Sequence, residues 1–195
     1  MAKDGVEVEI KIPVSKKLFE EIRRFLKKNA RFVSSSQEID SYFNSPHRDF
    51  LTLKHPLEYL RVRKRGTSGS FNYKYHHYSR EGERLYADEY ETKIENPYQL
   101  IKILRALNFK KFITVNKRRE TYVYKGSFEF ALDNVKNLGY FVEIEAKKDI
   151  RGCKKTLVEL KSLARNLKLN LTKIDNYGYV ALLMKKKNLA KKLNA

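Results

Sequence analysis

The residues of this chain that could do chemistry are carboxylates, lysines and arginines placed at every second position. Val6-Glu7-Val8-Glu9-Ile10-Lys11-Ile12 is the first such stretch. Successive side chains of a strand point to opposite faces, so Glu7, Glu9 and Lys11 share one face and the aliphatic residues the other. The aliphatic face can pack on a core. The charged face must meet water, a partner or a ligand, because unpaired buried charge is costly. For one strand, a solvated face is the simplest account. Recurrence changes that reading: Arg61, Arg63 and Arg65 alternate with Leu60 and Val62, and Lys74 stands opposite the aromatic side of its strand. Glu89, Glu91 and Lys93 share a face, as do Lys117, Arg119 and Thr121, and Glu129, Ala131 and Asp133. Glu143, Glu145 and Lys147 then repeat the carboxylate, carboxylate, lysine order of the opening stretch.

Acidic pairs (Glu7/Glu9, Glu89/Glu91, Glu143/Glu145) and basic pairs (Arg61/Arg63, Lys117/Arg119) on different strands suit one kind of ligand. Hard cations such as Mg²⁺ and Mn²⁺ take oxygen ligands, and a few carboxylates plus substrate phosphates complete their shell. Arginine grips phosphate oxygens as a fork and lysine as a point charge. Together these groups would neutralise a triphosphate and the charge that develops when a phosphoryl group is transferred.

The elements that must position them are eight strands, most joined by short turns. They fall at 6–12, 39–43, 59–65, 71–75, 87–94, 112–124, 127–135 and 140–147. A helix from the Ser15 cap to about Asn29 carries the stripe Leu18, Ile22 and Phe25. Asn96 and Pro97 open a second, with Leu100, Ile103, Leu104 and Leu107. Leu157, Leu160, Ala164 and Leu167 mark a third, and Tyr179, Leu182 and Leu183 a fourth. Residues 46–57 read as an irregular loop. The expected fold is α+β: an eight-stranded antiparallel β-barrel, charged inside, with helices covering its apolar exterior. Eight strands enclose room for a small ligand. One domain spans 1–185 and a basic tail 186–195.

Composition bounds the rest. The chain has 195 residues, 42% of them hydrophobic and 33% charged, as in a globular domain. A net charge of +19 implies an anionic partner: nucleic acid, a membrane surface or a small polyanion. Cys153 is the lone cysteine, which excludes an intramolecular disulfide and a cysteine-based zinc site and fits a reducing, cytoplasmic setting. No membrane span is expected. Arg65 reads as a solvated strand end, Glu89 as an arginine's partner, and His76 and His77 as loop residues.

The motifs resemble the CYTH superfamily, the triphosphate tunnel metalloenzymes, which include class IV adenylyl cyclases and thiamine, inorganic and RNA triphosphatases. The likeness lies in Glu7-x-Glu9-x-Lys11, Leu60-Arg61-x-Arg63, Lys117-Arg118-Arg119 with Tyr122, Leu132-Asp133-x-Val135, and Leu138-Gly139-x-Phe141-x-Glu143-x-Glu145. Order and spacing agree across 1–185. The resemblance implies metal or metal-water contacts for Glu7, Glu9, Glu143 and Glu145, with Asp133 and Glu91 nearby. It implies a phosphate clamp of Lys11, Arg61, Arg63, Lys74, Lys117 and Arg119. One departure is that Tyr73-Lys74 continues into Tyr75-His76-His77, where the cyclase-like branch often has Gly-Pro, so the strand exit differs at the nucleoside end.

The expected activity is a triphosphatase dependent on Mg²⁺ or Mn²⁺, acting on tripolyphosphate or a nucleoside triphosphate. Glu9 or Glu145 would position the attacking water, and Lys11 would steady the leaving oxygens. The alternative is a cyclase converting ATP to cyclic AMP and pyrophosphate. A reading of another class is a basic nucleic-acid-binding barrel, disfavoured because acidic pairs would repel a phosphate backbone. A monomer and a homodimer are equally compatible with the sequence.

Overall fold

The computed structural model describes residues 5–51, 57–147 and 152–187. Among the described residues nine strands and four α-helices follow one another. Strands β1 (Val6–Glu7) and β2 (Glu9–Val14) precede α1 (Lys16–Asn29). Next come β3 (Arg31–Asn44), β4 (Glu58–Arg65), β5 (Ser68–Tyr78) and β6 (Arg84–Ile94). After α2 (Pro97–Ala106) the chain returns as β7 (Lys110–Tyr124), β8 (Phe128–Val135) and β9 (Gly139–Ala146). Helices α3 (Cys153–Asn166) and α4 (Gly178–Lys186) end the described chain. Residues 52–56 of the expected loop and 188–195 of the expected tail lie outside the described residues.

All strands form one sheet in the order β1-β6-β5-β4-β3-β7-β8-β9-β2, antiparallel throughout. Its first and last members are the two halves of one expected strand. Val6 and Glu7 pair with Asp88 and Ala87, while Glu9 to Val14 pair with Glu145 to Tyr140. The break falls at Val8, whose carbonyl accepts from the Ala146 amide at 3.2 Å. The stretch thus bridges both edges of the sheet and draws it into a nearly closed barrel, which hides edges that would otherwise invite pairing. That division is why nine strands appear where the alternation suggests eight.

Alternation survives the break, so Val8, Ile10 and Ile12 face outward into the main core. They meet Phe19, Ile22 and Leu26 of α1 and Leu157, Leu160 and Ala164 of α3. Burying each of the larger of these side chains is worth about 1.5–3 kcal/mol. Ser15 caps α1, its hydroxyl accepting from the Leu18 amide at 3.2 Å. Asn96 caps α2 in the same way, and that helix covers Phe43, Leu60 and Val62 through Leu104, Leu100 and Ile101. Ile103 and Leu107, assigned above to its apolar stripe, face solvent. No described helix is long and apolar enough to cross a membrane.

Two features position the interior. The Gly66-Thr67 turn sets Arg65 opposite Ser68, which holds Arg61, Arg63 and Arg65 on the inner face. One step on, Gly69 lies so close to β4 that an added Cβ would sit 1.8 Å from the Arg63 carbonyl oxygen. At one end of the barrel the inner face turns apolar, with Val115, Val135 and Phe141. Helix α4 plugs that end with Tyr179, Val180, Leu183 and Met184.

Candidate functional site

Inside the barrel is a cavity of about 300 Å³. Glu7, Glu9 and Lys11 reach it from β1 and β2, Arg61 and Arg63 from β4, and Lys74 from β5. Glu91, Lys117, Arg119, Glu143 and Glu145 complete the set of expected residues on its wall. Asp133 alone of that set is not on the wall.

The side chains pair off closely. Arg63 donates Nε to Oδ1 and Nη2 to Oδ2 of Asp40, both at 2.7 Å, a bidentate bond inside the barrel. Lys11 Nζ lies 2.9 Å from Glu143 Oε1, and Arg119 also donates to Glu143. Lys74 bonds Glu7 and lies 3.0 Å from Glu89. Arg84 Nη2 lies 2.8 Å from Glu9 Oε1, and Arg61 Nη2 3.2 Å from Glu91 Oε2. Asp133 sits behind the wall, fully buried. It accepts from Lys117 Nζ at 3.0 Å, Arg119 Nε at 2.7 Å and the Tyr179 hydroxyl at 2.8 Å. That carboxylate is taken up in orienting two cations. Glu91 belongs to the mouth and to Arg61, with Ser70 Oγ donating to it at 3.2 Å.

Burial raises the carboxyls of Glu7, Glu9, Glu143 and Glu145, and its balance with neighbouring cations divides them. At Glu9 the cations Lys11 and Arg84 override burial and hold the pKa at about 2. At Glu143, Arg119 and Lys11 do the same and hold it well below the usual range. Glu7 goes the other way: burial outweighs Lys74, Glu9 adds repulsion, and its pKa rises well above normal. Glu145 is pushed up to about 7 by burial, with Glu129 and Glu9 adding repulsion against Lys147 and Lys74. Register explains the repulsion, because Glu9 and Glu129 are the two cross-strand partners of Glu145. Like charges directly opposite on a sheet destabilise it.

The chemistry of this donor set fits a hard divalent cation. Glu7, Glu9, Glu129 and Glu145 offer only carboxylate oxygens, and two of them are short of positive charge. Among the described residues no three acidic or histidine side chains already converge as a ligand set; Glu7 and Glu9 are drawn to Lys74 and Arg84 instead. The cationic side has its own vacancy of bonding. Arg61 Nε is buried on the cavity wall without an acceptor among the described residues.

Several residues on the wall or just behind it escaped the sequence reading. Arg84 follows Arg80-Glu81-Gly82-Glu83, a stretch with the composition of a charged loop and no alternation to mark it. Glu38 and Asp40 counter Arg63 and Lys117 from β3, on a strand whose first half shows no period. Arg65, expected to be solvated, places Nε 2.7 Å from Glu38 Oε1 at the mouth. His76 and His77 are strand residues, not loop residues. His76 is buried on the cavity wall, where burial and then Arg84 and Lys74 hold its pKa well below normal and keep it neutral.

The comparisons agree with this geometry. The CYTH domain family model matches residues 5–177. A Methanocaldococcus jannaschii protein, provisionally named an adenylate cyclase, is 30% identical over 91% of this chain and 97% of its own length. A solved structure from Pyrococcus horikoshii is 28% identical, with TM-score 0.76 over 92% of this chain and 99% of that one. A Hippeastrum protein, described as an adenylyl cyclase with a dominant triphosphatase activity, shares the fold at 13% identity. Its TM-score is 0.64 over 94% of this chain and 95% of its own.

Proposed function

This chain belongs to the CYTH family, whose members act on triphosphates, and from that premise we propose that it is a metal-dependent triphosphatase. The observation that carries the reading is a cavity wall that sets lysines and arginines beside carboxyls, two of which, Glu7 and Glu145, their cations leave under-neutralised. Arg61, Arg63, Lys74, Lys117 and Arg119 are the clamp for phosphate oxygens, with the unpaired Arg61 Nε the first donor available. Glu7, Glu9 and Glu145 are the group for Mg²⁺ or Mn²⁺, with Glu143 holding Lys11 and Arg119 in place. The metal, when bound, supplies charge to neutralise phosphate oxygens and lowers the pKa of a coordinated water.

The chain's own groups do the rest. Water attacks the terminal phosphorus in line with the bridging oxygen, that P–O bond breaks, and diphosphate leaves. Glu145 takes the proton of the attacking water, and Lys11, held by Glu143, faces the departing oxygens. Positioned proton transfer of this kind contributes about 10²- to 10⁴-fold.

Hydrolysis is favoured over cyclisation by the plugged end of the cavity. Tyr42, Tyr59 and His76 pack there edge to face, with centroids 5.9 and 5.2 Å apart. Tyr179 lies under Lys11 at 4.3 Å. These rings are packed on one another and on Lys11, which makes that end of the cavity a wall of side chains with partners of their own. The cyclase reading rests on the name of the Methanocaldococcus relative, and the same clamp would hold ATP for attack at the α-phosphorus. Incubation with tripolyphosphate or ATP and Mg²⁺ or Mn²⁺, followed by phosphorus NMR, decides between them. Orthophosphate is expected. Cyclic AMP with pyrophosphate would establish the cyclase, and no turnover of any triphosphate would end both readings.

A further inference from the structure

The tunnel does not account for the charge of the chain. Its wall carries nine lysines and arginines against eight carboxylates. Glu38 and Asp133 stand among and behind those cations and add two more negative charges. The lining is close to neutral, so the surplus of +19 resides in the remainder of the chain. A triphosphate in the tunnel gives that surplus no purpose.

One place outside combines the surplus with a shape and an aromatic ring. Arg23 and Lys27 of α1, Phe32 and Ser35 of β3, and Arg118 and Glu120 of β7 line an external groove of about 420 Å³. Glu120 is committed: it accepts from Arg23 at 2.9 and 2.6 Å and from the Tyr122 hydroxyl at 2.8 Å. Lys27 and Arg118 form no salt bridge among the described residues, and Lys27 acts on Glu120 only at longer range. Phe32 is 53% exposed and is steadied by a T-shaped contact with Tyr122 at 5.4 Å. Phe32 thus leaves a large apolar ring in water on a groove that also carries Lys27 and Arg118.

We propose that this groove binds single-stranded nucleic acid. One base stacks on Phe32, and the flanking phosphates contact Lys27 and Arg118. The features are those of sequence-tolerant single-strand binding, in which cations track the backbone and aromatic rings take bases. A duplex hides its base faces and offers Phe32 nothing to stack on. The groove lies on the outer face of the β3–β7 ribbon, while Arg119 and Thr121 of the same ribbon face the cavity. Occupation of the one site therefore leaves the other free.

The test uses the full chain and fluorescein-labelled oligouridylate and oligodeoxythymidylate of about 12 nucleotides bearing 5′-hydroxyl ends, followed by anisotropy. Both should bind, and affinity should fall with salt. The double variant Lys27→Glu/Arg118→Glu should lower the log–log salt slope by about 1–2. Phe32→Ala should weaken binding roughly 5- to 150-fold and Phe32→Tyr should restore it. Saturating tripolyphosphate should displace nothing, and all three variants should hydrolyse tripolyphosphate at the parent rate if the triphosphatase reading holds. Because the oligonucleotides carry no triphosphate, their binding stands or falls apart from that reading. Four results would overturn the proposal: no binding at low salt, displacement by tripolyphosphate, indifference to Phe32→Ala, or equal binding of duplex.

Discussion

At the scale of single residues, the site is organised by how far each buried carboxylate is compensated. Glu9 and Glu143 are held ionised by two cations each, and Glu7 and Glu145 are left short. Glu145 makes this measurable. Its pKa is about 7 when folded, against an ordinary value near 4.5, so the folded state binds its proton more tightly than the unfolded chain does. The resulting penalty is absent below pH 4.5, grows between 4.5 and 7, and is complete above 7. In metal-free buffer Glu145→Gln should therefore be more stable than the parent at pH 8, by of order 1–3 kcal/mol, with no gain at pH 4.5. Urea midpoints at both pH values check this, and parallel pH profiles would refute it. Glu38 carries the opposite sign: Arg63, Arg119 and Lys117 overcome burial and hold it at about 2, so its contribution is lost as pH falls from 4.5 towards 2. Alternation made Glu145 legible in the sequence because its neighbours Val142, Ile144 and Ala146 are apolar. It could not separate Asp133 from Glu129, which share a face but differ in depth: Asp133 lies beneath Lys117, Arg119 and Tyr179, and those contacts come from two other elements.

At the scale of elements, the register of β4 against β5 decides where three arginines point, and Gly69 protects that register. Its Cβ position lies 1.8 Å from the Arg63 carbonyl oxygen and 3.0 Å from the Pro97 ring. Neither neighbour is a flexible side-chain end, so Gly69→Ala must push β5 away from β4 or from α2. Overpacking of this kind costs about 1–3 kcal/mol. Displacement of Arg63 and Arg61 should raise KM for tripolyphosphate with a smaller change in kcat. Steady-state kinetics beside a melting curve check the prediction, and an unchanged KM in a destabilised variant would show that the register survives. The plug is a second case: Leu183 is buried against β7 and β9 residues, and Leu183→Ala should cost about 2–5 kcal/mol, read from denaturant midpoints. The hairpins and three of the helix stripes were legible because each buries one face against a core. The first half of β3 was not. Arg31 to Gln37 pairs with β7 on one side only, both of its faces are largely wet, and Ser34-Ser35-Ser36 carries no period for a reader to find. The break at Val8 was equally hidden, since the chain changes partner there without changing the alternation of its side chains.

At the scale of the whole molecule, most charges of the barrel interior are engaged with one another. Lys74 holds Glu7, Arg84 holds Glu9, and Lys11 and Arg119 hold Glu143. A polyphosphate that recruits Lys74 and Arg119 takes cations away from Glu7 and Glu143, and buried carboxylates left without partners are costly. A divalent cation relieves that cost. Conversely, a cation drawn to Glu7 and Glu9 frees Lys74 and Arg84 for phosphate. Each ligand thus removes an obstacle to the other, and linkage requires the effect to be equal in both directions. Coupling free energies between sites are typically worth roughly 5- to 150-fold in affinity. Calorimetric titration of Mg²⁺ with and without imidotriphosphate, and of imidotriphosphate with and without Mg²⁺, should show the same tightening within that range, after allowance for the complex the two form in water. Independent binding would mean that these ion pairs persist once the ligands are bound, and with them the clamp would have no free cations to offer. Glu7→Gln separates these cases further: it removes one of the two carboxylates that hold Lys74, so it should strengthen polyphosphate binding without metal while weakening the coupling.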